Sequence, residues 1–355
     1  MRRALELARL RKGLTHPNPT VGCVIVKNGK VIAEGYHEKA GMPHAEAVAL
    51  QKAGQEAKDA VMYVTLEPCT HYGRTPPCTD AIIKAGLKKV YVATLDPNPL
   101  VAGKGVERLR KAGIQVDVGL LEEEAKRLNE DFFVYITKKR PYITLKWAQS
   151  IDGSLATKSG KSKWLTGEEA RTFAHRLRAE ATAVLVGVET VLRDDPQLTV
   201  RAFQHEHQPM RIVLDPHLRL PEEAKLLDTK TAPTMIITAS ENREKIKRLE
   251  LMGVRVLLAP MKGGLLDLQE LLRELYFMEV MHLLVEGGAR TLTSFLKAGL
   301  FDRLWVFVAP ILLGEGRRIG DLDVEDIPQA IRLKRRELLT FGEDMAIEYV
   351  RAESF

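Results

Sequence analysis

The most constraining stretch of the chain runs from His44 to Cys78. It opens with His44-Ala45-Glu46, passes through an apolar run ending Thr65-Leu66-Glu67-Pro68-Cys69, and closes one short loop later at Pro77-Cys78. One imidazole and two thiolates suit a zinc ion whose fourth position stays open for water, because a structural zinc fills all four positions with protein. Glu46 stands two residues past the histidine, near enough to move a proton without serving as a ligand.

Apolar periodicity and turn chemistry predict an α/β arrangement around this stretch. Residues 3–12 read as a helix ending at Gly13, and residues 21–26 and 30–33 as strands joined by an Asn28-Gly29 turn. Pro43 precedes a helix from His44 to about Lys52, and Pro76-Pro77 opens another that stops at Gly86. Further strands fall at 61–66, 89–94 and 114–118, with helices at 105–112 and, as one long element, 122–136. The metal ligands therefore sit at or near helix N-termini, where the partial positive charge of the backbone favours thiolate. Cys23, in mid-strand, reads as a core thiol.

A chain of 355 residues suggests two domains. Lys138-Lys139-Arg140-Pro141 breaks the pattern and places the boundary between residues 1–139 and 140–355. Beyond it come a strand at 142–147 and a helix capped by Thr166, with Glu169 completing a capping box. Strands at 183–186, 211–214, 234–237, 254–258, 281–285 and 304–308 alternate with helical stretches, which implies a mostly parallel sheet. Runs at 331–339 and 345–350 read as an antiparallel edge. No apolar run approaches the roughly 18 residues of a membrane helix, and the N-terminus has no signal-peptide core. With three cysteines, two of them in metal spacing, this points to the reducing cytoplasm and away from a membrane. The net charge of +6 is dispersed, which favours anionic small substrates over nucleic acid.

Thr15-His16-Pro17-Asn18-Pro19-Thr20-Val21-Gly22, Gly35-Tyr36-His37, His44-Ala45-Glu46 and the whole of Glu67 to Cys78 resemble the bifunctional riboflavin-biosynthesis deaminase/reductase family. Cytidine and tRNA-adenosine deaminases usually close their cysteine pair within a P-C-x-x-C; the wider Cys69–Cys78 spacing matches the riboflavin branch. The resemblance implies a cytidine-deaminase-like zinc domain with the metal on His44, Cys69 and Cys78 and Glu46 acting as base, then acid. It implies pyrimidine and sugar-phosphate contacts at Asn18 and His37. Arg74 stands where the family usually carries lysine, and a guanidinium there keeps the charge and grips phosphate bidentately. The implied reaction is hydrolytic deamination of 2,5-diamino-6-(5-phosphoribosylamino)pyrimidin-4-one.

In the second half no G-x-G-x-x-G occurs, but Leu283-Leu284-Val285-Glu286-Gly287-Gly288-Ala289 puts paired glycines between a strand and a helix, where backbone amides can meet a phosphate. Together with residues 145–153, 162–167 and 187–201 it resembles the reductase half of the same family, which implies a dihydrofolate-reductase-like fold. The implied NADPH contacts are Ala148, Trp164, Thr190, Asp194 and the segment opening Gly288-Ala289-Arg290-Thr291. Implied substrate contacts are Ser162, Arg178, Leu198, Arg201 and Glu286. Reduction of an opened ribose to ribityl needs cations for the 5′-phosphate, which Arg178 and Arg201 supply, and polar groups for the sugar, which Lys146, Asp194 and Glu286 supply. The family habit also implies a homo-oligomer, a dimer or tetramer. Two rival readings remain at this stage: a nucleoside or tRNA deaminase fused to an unrelated domain, and a nucleic-acid-binding protein whose structural zinc takes His71 as fourth ligand.

Overall fold

The protein, seen in a computed structural model that describes residues 1–72, 76–99 and 101–352, forms two units, Met1–Arg140 and the chain from Pro141 onward. The first unit runs α1 (Arg2–Arg9), β1 (Gly22–Lys27), β2 (Lys30–Tyr36), α2 (Ala45–Ala53), β3 (Val61–Val64), α3 (Cys78–Ala85), β4 (Lys89–Val92), α4 (Lys104–Lys111), β5 (Gln115–Val118), α5 (Glu122–Leu128) and α6 (Glu130–Lys138). Its sheet has the order β2-β1-β3-β4-β5; β1 pairs antiparallel with β2 and β3, and β3, β4 and β5 are parallel. Side chains of β1 alternate between two cores. Cys23 and Ile25 pack with Ala45, Ala49, Ile82 and Leu109 of α2, α3 and α4, and Val24 packs with Ala4 and Leu7 of α1.

The long helix expected over 122–136 is two helices. Asn129 ends α5, and its buried amide accepts from the Thr20 N–H and donates to the Thr20 carbonyl, both at 2.8 Å. A side chain that bonds a distant backbone in this way competes with helix continuation. The break also has a use. Asp131 on α6 receives Lys12 Nζ at 2.6 Å and lies 3.2 Å from His16 Nε2, so the loop carrying Asn18 is held at both ends.

The second unit runs β6 (Tyr142–Ser150), α7 (Glu168–Glu180), β7 (Ala183–Gly187), α8 (Val188–Asp194), β8 (Met210–Leu214), β9 (Thr234–Thr238), α9 (Arg243–Leu251), β10 (Arg255–Leu258), β11 (Met261–Lys262), β12 (Leu265–Leu266), α10 (Leu268–Phe277), β13 (His282–Glu286), α11 (Ala289–Lys297), β14 (Arg303–Ala309), β15 (Leu333–Phe341) and β16 (Asp344–Arg351). The main sheet has the order β10-β9-β8-β7-β13-β6-β14-β16-β15, parallel from β10 to β14 and antiparallel at the β16–β15 edge. Helices α7, α8 and α9 cover one face and α10 and α11 the other. The capping box expected at Thr166 and Glu169 does not form. Gly167 is the N-cap of α7, and its N–H donates instead to Asp344 Oδ2 at 2.6 Å. Among the described residues no helix is long and apolar enough to cross a membrane.

Candidate active sites

In the first unit His44 is the N-cap of α2, and Cys78 is the first residue of α3. Cys69 lies in the preceding loop and is clamped by the first turn of α3: Cys78 N–H donates to its Sγ at 3.3 Å, and Thr79 N–H and Oγ1 donate to its carbonyl at 3.2 and 3.1 Å. Two glycines let these elements close up. A Cβ at Gly35 would overlap the Ala45 carbonyl oxygen, and one at Gly105 would overlap the Pro68 carbonyl oxygen. The Glu67 carboxylate ties the same loop to α4, accepting from Gly103 N–H at 2.8 Å and Val106 N–H at 3.1 Å.

The ligand atoms of His44, Cys69 and Cys78 lie within 4.8 Å of one another. Nδ1 of His44 is 3.7 Å from Cys69 Sγ and 3.3 Å from Cys78 Sγ. A tetrahedral zinc, at about 2.0 Å from nitrogen and about 2.3 Å from sulfur, holds such atoms about 3.5 Å apart, so this donor set fits the ion. The thiol of Cys78 donates to Cys69 and, with its backbone N–H and His44, brings the Cys69 thiol down to about 4; a thiolate is ready for a metal. His71 is exposed and outside this group among the described residues, which removes the candidate fourth ligand of a structural zinc.

Glu46, in the first turn of α2, is 3 % exposed, and burial raises its carboxyl above the ordinary range. His37 is buried, with Nδ1 3.1 Å from the Pro43 carbonyl and Nε2 3.0 Å from Asn18 Nδ2. Burial lowers its pKa, which favours the neutral ring, with Nδ1 donating to the Pro43 carbonyl and Nε2 accepting from the Asn18 amide. Arg74 lies outside the described residues. Asp96, which pattern reading missed, follows β4; burial, with Glu67 adding, raises its carboxyl to about 6. The visible signal was its place in Asp-Pro-Asn-Pro at the C-terminal end of a strand.

In the second unit Lys146 and Glu286 are register neighbours on β6 and β13. Arg178 of α7 meets Glu286 through two hydrogen bonds, Nε to Oε1 at 2.6 Å and Nη2 to Oε2 at 2.8 Å, and its Nη1 donates to the Thr199 carbonyl at 3.1 Å. It is a paired, enclosed guanidinium and not a solvated helix charge. Burial opposes ionisation of Glu286, but Arg178 and then Lys146 outweigh it and hold the carboxyl at about 2. Burial also lowers the Lys146 ammonium and the Arg201 guanidinium. His175 completes the cluster and was missed, although it stands three residues before Arg178 and so shares its helix face. Its Nδ1 accepts from the Arg201 N–H at 3.3 Å, and burial with Arg178 and Arg201 pushes its pKa down to about 4.

The other expected positions lie on several elements of the same unit. Leu198 is buried; Ser162 is half-buried on the loop before α7; Ala148 packs from β6 against the core beneath α7. Trp164 is 64 % exposed under the Arg171 guanidinium, 4.6 Å from the ring centre. Asp194 ends α8, and its carbonyl accepts from Lys163 Nζ at 2.7 Å. The first turns of α8 and α11 meet: a Cβ on Gly187 would strike Thr291 Oγ1, and one on Gly288 would sit 3.1 Å from Thr190 Oγ1. No side chain caps α11, whose N-cap is Gly288, so its first N–H groups are available to an anion. This opening between the C-terminal ends of parallel strands fits a dinucleotide pyrophosphate.

Residues 141–347 match the family described as RibD C-terminal domain, and residues 1–94 match the cytidine and deoxycytidylate deaminase zinc-binding region. The chain is 60% identical to the riboflavin biosynthesis protein RibD of Aquifex aeolicus over 99% of its own length and 97% of the relative's. It is 42% identical to that of Escherichia coli, over 99% and 98%. Among solved structures it is similar to Acinetobacter baumannii RibD, with a TM-score of 0.90, 42% identity, and coverage of 99% and 98%. It is also similar to a Thermotoga maritima diaminohydroxyphosphoribosylaminopyrimidine deaminase/5-amino-6-(5-phosphoribosylamino)uracil reductase, with a TM-score of 0.89, 37% identity, and coverage of 99% and 97%.

Proposed function

The chain belongs to the RibD family of bifunctional riboflavin-biosynthesis enzymes, a zinc-dependent deaminase joined to an NADPH-dependent reductase, and on that footing we propose which of its residues carry each step. The first unit hydrolyses the 2-amino group of 2,5-diamino-6-(5-phosphoribosylamino)pyrimidin-4-one. His44, Cys69 and Cys78 would hold the zinc, which would supply a Lewis acid that makes water acidic near neutral pH. Glu46 would take one proton from the attacking water and deliver it to the ring nitrogen, then carry the second from the resulting hydroxyl to the departing amine, which leaves as ammonia, a role suited to a carboxyl lifted by burial. Asn18, oriented by His37, reads the pyrimidine edge, and Arg74 takes the phosphate.

The second unit reduces the ribosyl group of the product to ribityl. NADPH supplies the hydride, bound along Ala148, Trp164, Thr190, Asp194 and the first turn of α11. The cluster of Lys146, Arg178 and Arg201 against the single carboxylate of Glu286 leaves positive charge for a phosphate dianion, to which the neutral His175 adds none. Ser162 and Leu198 complete the substrate wall, and Lys146 and Glu286 face the opened sugar. We place the enzyme in the cytoplasm, where three free thiols persist, and take it to be a homo-oligomer, a dimer or tetramer.

The observation that carries this reading is the convergence of one imidazole and two thiols beside a buried glutamate that stands outside that donor group. Feeding the diaminopyrimidine substrate with and without NADPH tests it. Ammonia is expected in both cases and nicotinamide oxidation follows deamination; ammonia from cytidine instead, with no NADPH consumed, overturns it.

A further inference from the structure

Glu189 lies in the first turn of α8 and is the focus of three guanidinium groups. Arg219 Nη2 bonds its Oε1, Arg193 Nε is 3.9 Å from its Oε2, and Arg290 adds a third positive field from the first turn of α11. Among the described residues Arg290 has no ion-pair partner of its own, so three guanidinium groups face two carboxylates, Glu189 and, beneath Arg219, Asp215. The three supports are neighbours in space: β8, β7 and β13 are adjacent parallel strands, and Arg219, α8 and α11 all follow their C-terminal ends.

Arg219 is also held in place before any ligand arrives. The buried carboxylate of Asp215 accepts the Leu220 N–H at 2.7 Å, and its carbonyl accepts the Leu218 N–H at 3.1 Å, which fixes the turn that presents Arg219.

The order of strands gives this cluster its place along the cofactor, an argument that rests on the reductase reading above. The reacting sugar sits at Lys146 and Glu286, on β6 and β13, so the nicotinamide ring lies at that end. The pyrophosphate falls where α8 and α11 touch. Continuing across β7 brings the adenosine half to β8, and so to Arg219. In parallel α/β sheets an acidic group there suits a ribose 2′-hydroxyl and an arginine suits a 2′-phosphate.

We propose that Arg219 and Arg290 form the clamp for the 2′-phosphate of NADPH and that Glu189, which holds Arg219 when no cofactor is bound, competes for it. The clamp is a specificity element: it adds charge-assisted hydrogen bonds to NADPH that NADH has no atoms to receive.

The test measures Kd for NADPH and NADH by nicotinamide fluorescence on the full-length zinc-loaded protein and on R219Q, R290Q and E189Q, with ammonia release from the first unit as a check of folding. In the wild type NADPH is expected to bind more tightly than NADH. R219Q weakens NADPH roughly tenfold or more and leaves NADH nearly unchanged, and R290Q weakens NADPH by a larger factor than NADH. E189Q tightens NADPH. A wild-type NADPH preference that survives both arginine substitutions, or equal loss of both dinucleotides, overturns the clamp alone. Failure of the wild type to bind either dinucleotide overturns the reductase reading, and the clamp with it.

Discussion

The two sites solve opposite electrostatic problems. Around His44, Cys69 and Cys78 the structure gathers one nitrogen and two sulfur donors at the spacing of a single cation's ligands. Around Glu286 it gathers Lys146, Arg178 and Arg201 on a single acid, a set that asks for an anion. The first is built from loops locked to helix N-termini, the second from side chains at strand ends and on a covering helix. The difference teaches that each unit is organised around the charge it lacks.

Removing a ligand from the first site should have the largest effect. Cys78→Ala is expected to lose zinc and bring ammonia release to the uncatalysed background, with NADPH oxidation on deaminated substrate untouched. Metal analysis beside the two assays checks it, and a matched loss of reduction would break the comparison. Next is Arg178→Met, which strands a buried Glu286. It should destabilise the second unit by about 3–5 kcal/mol, read as a lowered Tm, with the deaminase assay unaffected. An unchanged Tm would mean that the pair is not enclosed.

The smallest effect is one of pH. His175 is held near 4 in the fold against about 6.5 in the unfolded chain, so between these values the unfolded state binds the extra proton. Stability should therefore be level above about 6.5 and fall as pH drops toward 4. His175→Gln, which keeps a polar side chain without a titrating ring, should flatten that fall. Melting scans from pH 7 to 4 check it, and identical slopes in the two proteins would remove His175 from the cluster.

The zinc site was legible because its parts are rare residue types close in sequence, with His44 and Cys78 beside readable helix starts. The charged site was not, except by resemblance: Lys146, Arg178 and Glu286 lie on separate elements, and isolated lysines and arginines carry no pattern. Strand positions in the sheet followed from apolar runs, and Gly263-Gly264 is the hairpin signal for the turn joining β11 to β12. What failed was tertiary. The helix break at Asn129 depends on Thr20, and the start of α7 depends on Asp344, each far away in the chain. His175 offered a signal only through its spacing from Arg178, and Asp96 only through its place after β4.

The most direct test is the Glu46→Gln variant, assayed for ammonia release, bound zinc, and NADPH oxidation on substrate that has already been deaminated. Deamination is expected to fall by about 10²–10⁴, with zinc retained and reduction at the wild-type rate. Unimpaired ammonia release would contradict a proton-carrying carboxylate beside the metal, and loss of reduction along with it would contradict two independent sites.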